Sequence, residues 1–273
     1  MTNEKIIYVK EYERKCELPD ADYVINPYVG CTHGCAYCYA EFMRRFSNHR
    51  EPWGKFVDIK LCERKISHMR LNNKTVMLSS VTDPYNHFEK KYEVTRDILK
   101  QLSKMNLTLN IMTKSDMILR DLDILKEFNN IQVIFSFSTV DENIRQIFEH
   151  AAPSVKRRLN ALKTLHDEGI TTAVFLSPIL PGITDYKKIV EASRDFADEF
   201  WFENLNLREG YKKEMMTLIK EKFPALYPLY EDIYKLYKED YWQELEQDIE
   251  NYCTENRLMF QNRFFHNKKR KRI

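Results

Sequence analysis

Three cysteines spaced Cys31-x3-Cys35-x2-Cys38 stand in the run Asn26-Pro27-Tyr28-Val29-Gly30-Cys31-Thr32-His33-Gly34-Cys35-Ala36-Tyr37-Cys38-Tyr39. An iron–sulfur cube has four iron corners, and a purely structural one closes all of them with cysteine. Three thiolates in one short segment therefore point to a cube with one iron left open to a reactive ligand. Gly30 and Gly34 relieve the steric load where the backbone must wrap closely around a bulky group. Three other readings compete. A zinc site would take His33 as fourth ligand, but that residue lies so close to its neighbours in the chain that tetrahedral closure is strained. A redox pair at Cys35 and Cys38 leaves Cys31 without a role. Ordinary core cysteines are the third.

The rest of the composition bounds the setting. Six cysteines in 273 residues, three of them crowded together, do not make a disulfide framework, and a reducing cytosol is the expected compartment. The start of the chain lacks an apolar core of signal-peptide length, and no stretch approaches the ~20 apolar residues of a membrane span, so a cytoplasmic protein without a membrane partner is expected. Lys and Arg number 43 against 41 Asp and Glu, a net +2, so any nucleic-acid partner must be argued from local patches. Two patches qualify. Arg44, Arg45, His49 and Arg50 interleave with Phe42, Phe46 and Trp53, although Glu41 and Glu51 dilute their charge, and Lys268-Lys269-Arg270-Lys271-Arg272 forms a basic run just before the final Ile273.

The elements that must carry the cysteines follow from the apolar pattern. Short runs rich in β-branched and aromatic residues predict strands over Tyr23–Asn26, Thr75–Ser80, Leu107–Met112, Gln132–Phe137, Thr172–Leu176 and Glu199–Asn204. Apolar residues at three- and four-residue steps predict helices between them, over Ala36–Phe46, Val94–Met105, Leu122–Phe128, Val155–Asp167 and Tyr186–Phe196. Ser154 fits an N-cap and Gly169 a C-terminal stop. Strands alternating with helices imply a parallel sheet with right-handed crossovers, and six units make an α/β partial (β/α)6 TIM-type barrel. Residues 1–210 would form that barrel, and residues 211–273 a helical C-terminal extension packed on it, with a basic tail. Ligands of such folds gather at the C-terminal ends of the strands, where the cysteine loop also falls.

The cysteine motif, with the aromatic Tyr37 before its third cysteine, resembles the signature of radical S-adenosylmethionine (SAM) enzymes. Asn26-Pro27-Tyr28, Thr82-Asp83-Pro84, Thr113-Lys114-Ser115, Glu149 to Leu159 and Ser177-Pro178-Ile179 resemble the spore photoproduct lyase-related branch, from about Pro27 to Phe265. The resemblance implies a [4Fe-4S] cluster on Cys31, Cys35 and Cys38, with SAM on the open iron. It also implies an external one-electron reductant of the flavodoxin or ferredoxin type, and a 5′-deoxyadenosyl radical that abstracts hydrogen from a substrate.

It further implies cofactor-binding residues. Lys114, just past the third strand, would meet the SAM carboxylate, against the alternative of a solvated lysine. Tyr37 would lie against the adenine. Ser136 and Ser138 would reach methionyl or ribose groups, and Ser177 the adenine, although strand-end serines also form turns. Asp83 would bind the SAM ammonium or position a hydroxyl that does; an Asp-Pro turn is the plainer reading. Arg158 is expected to pack or to form a surface pair. Tyr39 matches a tyrosine of the lyase's radical relay, and a core aromatic is the competing reading.

One position departs from the lyase pattern. The lyase keeps its hydrogen-donating cysteine in a Cys-Thr-Ser-Asp stretch that aligns with Ser80-Val81-Thr82-Asp83, so Ser80 occupies the donor's place. An O–H bond is too strong to quench a carbon radical, and the same donor route is not expected here. Cys62 or Cys16 would substitute as donor if the fold brings either near the pocket. A radical enzyme acting on nucleic acid, one acting on a peptide or small molecule, and a non-catalytic iron–sulfur or zinc protein are the functional classes that follow.

Overall fold

A computed structural model describes residues 2–16, 18, 21–207 and 209–264, without the side chain of Glu209. The basic run Lys268–Arg272 lies outside the described residues. In chain order the strands are β1 (Asn3–Tyr8), β2 (Glu13–Lys15), β3 (Tyr23–Ile25), β4 (Tyr28–Val29), β5 (Phe56–Leu61), β6 (Thr75–Leu78), β7 (Thr108–Thr113), β8 (Asn130–Phe137), β9 (Thr171–Ile179), β10 (Glu199–Asn204) and β11 (Phe260–Asn262).

Eight of them form one sheet in the order β2-β3-β6-β7-β8-β9-β10-β11. Every pairing in it is parallel except β2 with β3. The six strands expected from the sequence are β3, β6, β7, β8, β9 and β10, and they follow one another in the order of a partial TIM barrel. Parallel strands covered on both faces must be apolar on both, and Val133, Ile134, Phe135 and Phe137 of β8 are all buried. One face packs against the helices. On the other, Ile134, Ala173, Phe175 and Trp201 form a separate small cluster.

The helix Val155–Asp167 has its expected bounds. The Ser154 hydroxyl accepts from the Arg157 N–H at 3.4 Å, and the Ile170 N–H closes the other end on the Leu165 carbonyl at 3.0 Å. Val94–Leu102 and Tyr186–Ser193 are shorter than expected, and Leu122–Leu125 is a single turn. The helix expected over Ala36–Phe46 is replaced by turns followed by a 3-10 segment, Tyr39–Phe46. Cys38 sits in extended backbone at φ −69° and ψ 110°. That residue breaks helical continuity where the chain wraps the cysteines.

Two features were not anticipated, a small second sheet and the return of the C-terminal helical segment to the main sheet as a strand. β1, β5 and β4 form a second, three-stranded sheet, with β1 parallel and β4 antiparallel to β5. It underlies the cysteine loop so closely that a Cβ on Gly30, at φ +90°, would fall 2.4 Å from the Phe56 carbonyl oxygen. The C-terminal segment forms the helices Glu209–Lys222, Tyr227–Tyr234 and Asp240–Glu255, then returns as β11 to pair with β10. The Tyr234 hydroxyl donates to the Leu205 carbonyl at 2.8 Å and the Tyr186 hydroxyl to Asp248 at 2.7 Å, which ties these helices to the barrel. Among the described residues no helix is long and apolar enough to cross a membrane.

Candidate functional site

The cysteine loop leaves β4 and is fastened at several points to the segments that follow β6 and β8. The Ala36 N–H donates to the Phe148 carbonyl at 2.9 Å, the Thr82 hydroxyl to the Gly30 carbonyl, and the His87 N–H to the Thr32 hydroxyl at 3.2 Å. His33 is buried with Nδ1 3.4 Å from Asp83 Oδ2. Burial holds the His33 pKa below its ordinary value despite the carboxylate beside it, which favours a neutral ring.

All six cysteines of the chain are free thiols. Burial pushes Cys31 well above its ordinary value, Cys35 up to about 12, and Cys38 up as well. Negative charge at neighbouring sites adds to the shift at Cys31. A reactive redox pair needs the opposite, a depressed pKa. Three soft sulfur donors on one loop fit an iron–sulfur cube. Among the described residues no three His, Cys, Asp or Glu side chains converge as they would on a single metal ion. A cube does not require that convergence, because each cysteine takes its own iron corner.

Asp83 is buried, and both of its oxygens are engaged. Oδ1 accepts from the Tyr85 N–H at 2.9 Å and the Thr113 hydroxyl at 2.8 Å, and Oδ2 from the Lys114 N–H at 2.8 Å. It thus holds the end of β7 and the start of the next segment in register with the cysteine loop. Lys114 is half-buried with Nζ 5.8 Å from the centre of the Tyr37 ring. Burial works against its charge, but Cys35 in its thiolate form and the Glu149 and Asp83 carboxylates outweigh it and raise its pKa, so it stays cationic.

Behind Tyr37 lies a network that the sequence reading did not assemble. Glu149 is wholly buried and accepts from Arg158 at 2.6 Å, from the Ser138 hydroxyl at 3.0 Å and from the Tyr37 hydroxyl. Burial alone would raise its pKa; the Arg158 and Lys114 charges and the Tyr37 hydroxyl prevail and bring it to about 2. Arg158 is not a surface residue: it is 0% exposed and also donates to the Ser136 carbonyl at 3.0 Å. The signal for Glu149 was its place in the stretch that resembles the lyase branch. On its own, an acid just after a short helix reads as a solvated end.

The remaining candidates spread around the mouth. Ser136 and Ser138 are buried at the end of β8, and the Ser177 hydroxyl on β9 donates to Glu203 on β10. The Ser80 N–H donates to Asn26 Oδ1 at 2.9 Å, and its carbonyl accepts from the Tyr39 hydroxyl. Tyr39 is 45% exposed, which corrects the core-aromatic reading; its ring stacks on Phe42 at 6.5 Å. The first basic patch also loses two members. His49 is half-buried, 2.7 Å from Asp58 and stacked on Phe56 at 4.1 Å, and Trp53, also half-buried, meets the same ring edge-on at 5.8 Å. Cys16 follows the edge strand β2, with its thiol donating to the Ala21 carbonyl at 3.2 Å, and Cys62 follows β5 in the small sheet.

Comparison with known proteins agrees with this geometry. Residues 25–195 match the family model of the radical SAM superfamily. An uncharacterized protein of Methanocaldococcus jannaschii is 36% identical over 232 residues, covering 83% of this chain and 88% of the relative. A radical SAM Nα-GlyT isomerase of Pseudomonas phage M6 is 25% identical over 168 residues, covering 60% of this chain and 34% of that protein. Among solved structures, a spore photoproduct lyase variant with dinucleoside spore photoproduct shares the fold at TM-score 0.60 and 15% identity, over 81% of this chain and 66% of the lyase. Streptococcus suis SuiB bound to S-adenosylmethionine does so at TM-score 0.55 and 19% identity, over 88% of this chain and 49% of SuiB. The chain thus spans just under two thirds of the lyase structure and about half of SuiB.

Proposed function

Since this chain belongs to the radical SAM superfamily, whose members use a [4Fe-4S] cluster and SAM, we propose that it is an enzyme that abstracts hydrogen from a substrate held at the barrel mouth. When bound, the two cofactors supply a one-electron cleavage of SAM to methionine and a 5′-deoxyadenosyl radical, the electron coming from an external donor of the flavodoxin or ferredoxin type. The observation that carries the proposal is the loop of Cys31, Cys35 and Cys38 pinned across the strand ends, with the cation Lys114 and the Tyr37 ring beside it.

In this reading each residue has a task. Cys31, Cys35 and Cys38 hold three iron corners. Lys114 meets the SAM carboxylate as a fixed positive charge. Tyr37, anchored through its hydroxyl to Glu149, offers its ring to the adenine. Ser136, Ser138 and Ser177 line the mouth for the methionyl, ribose and adenine groups. Asp83 acts through the Thr113 hydroxyl and the Lys114 backbone, both of which it holds, as a positioning residue. Tyr39 and Ser80, bonded to each other at the exposed rim, face the substrate side. In the same reading residues 1–210 are the unit that carries cluster and SAM and residues 211–273 a second unit, whose described part, up to residue 264, packs on the first.

A serine at position 80 argues that the substrate radical is not quenched by a thiol there, so the reaction differs from that of the spore photoproduct lyase in its last step. Anaerobic reconstitution with iron and sulfide tests the proposal. A full [4Fe-4S] complement, a SAM-dependent change in the EPR signal of the reduced cluster and 5′-deoxyadenosine production support it. A reduced, intact cluster that leaves SAM uncleaved overturns it. Deuterium transfer from a labelled substrate into 5′-deoxyadenosine then decides between nucleic acid and a peptide or small molecule.

A further inference from the structure

The helix Glu209–Lys222 presents two unlike faces. Tyr211, Met215 and Ile219 are buried, while Lys213, Thr217 and Lys220 stand exposed along another stripe. Between that stripe and the helix Tyr227–Tyr234 runs an open groove of about 510 Å³, lined in part by Lys212, Lys213, Lys220, Tyr227 and Lys235. Lys235 pairs with Glu231 at 2.6 Å. Among the described residues no carboxylate lies within ion-pair distance of Lys212, Lys213 or Lys220. Lys212 donates to the Tyr234 carbonyl and lies over the Tyr237 ring, and Lys220 and Lys235 lie over the Tyr227 ring at 5.6 and 5.4 Å, contacts that hold the ammonium groups without cancelling their charge. Four ammonium groups lining one groove with one carboxylate leave a surplus of positive charge, which an anion would relieve.

The same helix begins against the segment that follows the cysteines. A Cβ on Gly210 would fall 2.6 Å from Glu41 Oε2, so the two elements touch. On that segment Tyr39, Phe42 and Phe46 are 45%, 38% and 78% exposed, with Phe42 centred 6.5 Å from Tyr39 and 6.4 Å from Phe46. Arg45 lies among them, as does Arg44, which pairs with Glu41 at 3.7 Å. Three neighbouring aromatic rings held in water call for a partner with flat faces. Lys220 lies only about 15 Å along the helix from Gly210, at 1.5 Å per residue.

We propose that this continuous surface binds single-stranded nucleic acid, with backbone phosphates in the lysine groove and unpaired bases against Phe42 and Phe46, at the edge of the cluster loop. Tracking charge combined with sequence-indifferent stacking platforms is the chemistry of single-strand binding. A duplex hides its base faces, and an acidic protein would use the lysines but leave the rings idle. The inference rests on the proposed function only in making the bound strand the radical's substrate; the binding itself stands apart.

The test uses the full reconstituted protein and a fluorescent mixed-sequence single strand of roughly 16 nucleotides. Affinity is read across about 50 to 200 mM salt. The expected result is binding whose logarithm falls linearly with the logarithm of salt. Lys213→Gln with Lys220→Gln makes that slope shallower by about 1.4. Phe42→Ala with Phe46→Ala weakens binding on the order of tenfold at unchanged slope. The matching duplex binds less tightly. SAM cleavage without substrate, measured on the same samples, stays at the wild-type rate in both variants, and its absence in the wild type would remove the proposed function without touching the binding result. The inference is overturned if the wild-type protein shows no salt-dependent binding, if the lysine variant keeps the wild-type slope, or if the duplex binds equally well and the phenylalanine variant binds like wild type.

Discussion

Glu149 and Arg158 form an ion pair 2.6 Å long in which neither side chain has any exposure to solvent. The pair joins the helix Val155–Asp167 to the end of β8 through the Ser136 carbonyl, and it joins both to the cysteine loop through the Tyr37 hydroxyl. Two charges removed from water are tolerated because each meets the other and fixed neutral partners: Glu149 also accepts from the Ser138 and Tyr37 hydroxyls, and Arg158 donates to the Ser136 carbonyl, with only its Nε left unpartnered. The arrangement therefore sets where Tyr37 stands relative to the cysteines on either side of it.

Removing one partner should be severe. Glu149→Gln leaves the Arg158 guanidinium buried without a counter-charge, and a loss of about 3–5 kcal/mol in unfolding free energy is expected. Denaturant midpoints of the wild-type chain and the variant measure it. A loss below 1 kcal/mol, the range of exposed pairs, would show that the pair is not desolvated as described.

The same pair predicts a pH dependence. The Glu149 pKa falls from 4.5 to about 2 on folding, so its contribution is complete above pH 4.5 and is lost as the pH drops toward 2. Urea midpoints of the cluster-free chain between pH 6 and pH 2 should fall more steeply for the wild type than for Glu149→Gln. Parallel curves would contradict the depressed value.

Each of the three cysteines should be indispensable. Cys31→Ala, Cys35→Ala or Cys38→Ala removes one iron corner, and iron content, the reduced-cluster EPR signal and 5′-deoxyadenosine formation are expected to fall to background together. The same substitutions at Cys16 or Cys253 should change none of these. Retention of a full cluster by any of the three loop variants would reassign the ligands.

Lys114→Gln should separate cofactor binding from cluster assembly. The charge-assisted contact to the SAM carboxylate is worth about 1.5–3 kcal/mol, so affinity for SAM is expected to drop roughly 10- to 150-fold while iron content stays at the wild-type level. Because the lysine pKa is raised, wild-type affinity should not decline through this group between pH 7 and pH 9. Equilibrium binding of SAM to the reconstituted proteins reads both effects.

The serine at position 80 gives a negative prediction. Reconstituted enzyme with SAM and reductant should not convert dinucleoside spore photoproduct to two thymines, since the O–H at Ser80 cannot deliver the final hydrogen. Product analysis by chromatography checks this, and efficient repair would require another donor at the mouth.

What the linear chain determined by itself is local. The six barrel strands were readable because a parallel strand covered on both faces is a nearly unbroken apolar run, and the helix Val155–Asp167 because its caps lie at its own ends. The three cysteines proposed as cluster ligands stood out because all three lie on one loop. What needed tertiary structure is non-local. Glu149 and Arg158 are nine residues apart, yet only the packing of the helix on β8 shows that both are dry and that Tyr37 reaches them. β11 has three residues and no apolar pattern; it exists because β10 offers it an edge. The helix Glu209–Lys222 reads as one more charged helix until its contact with the Tyr39–Phe46 segment sets a lysine groove beside exposed rings. His49 and Trp53 show the converse, since residues that look like a surface patch are drawn inward by Phe56. Burial is decided by the whole fold, and it is burial that turns a sequence of polar residues into either a network or a surface.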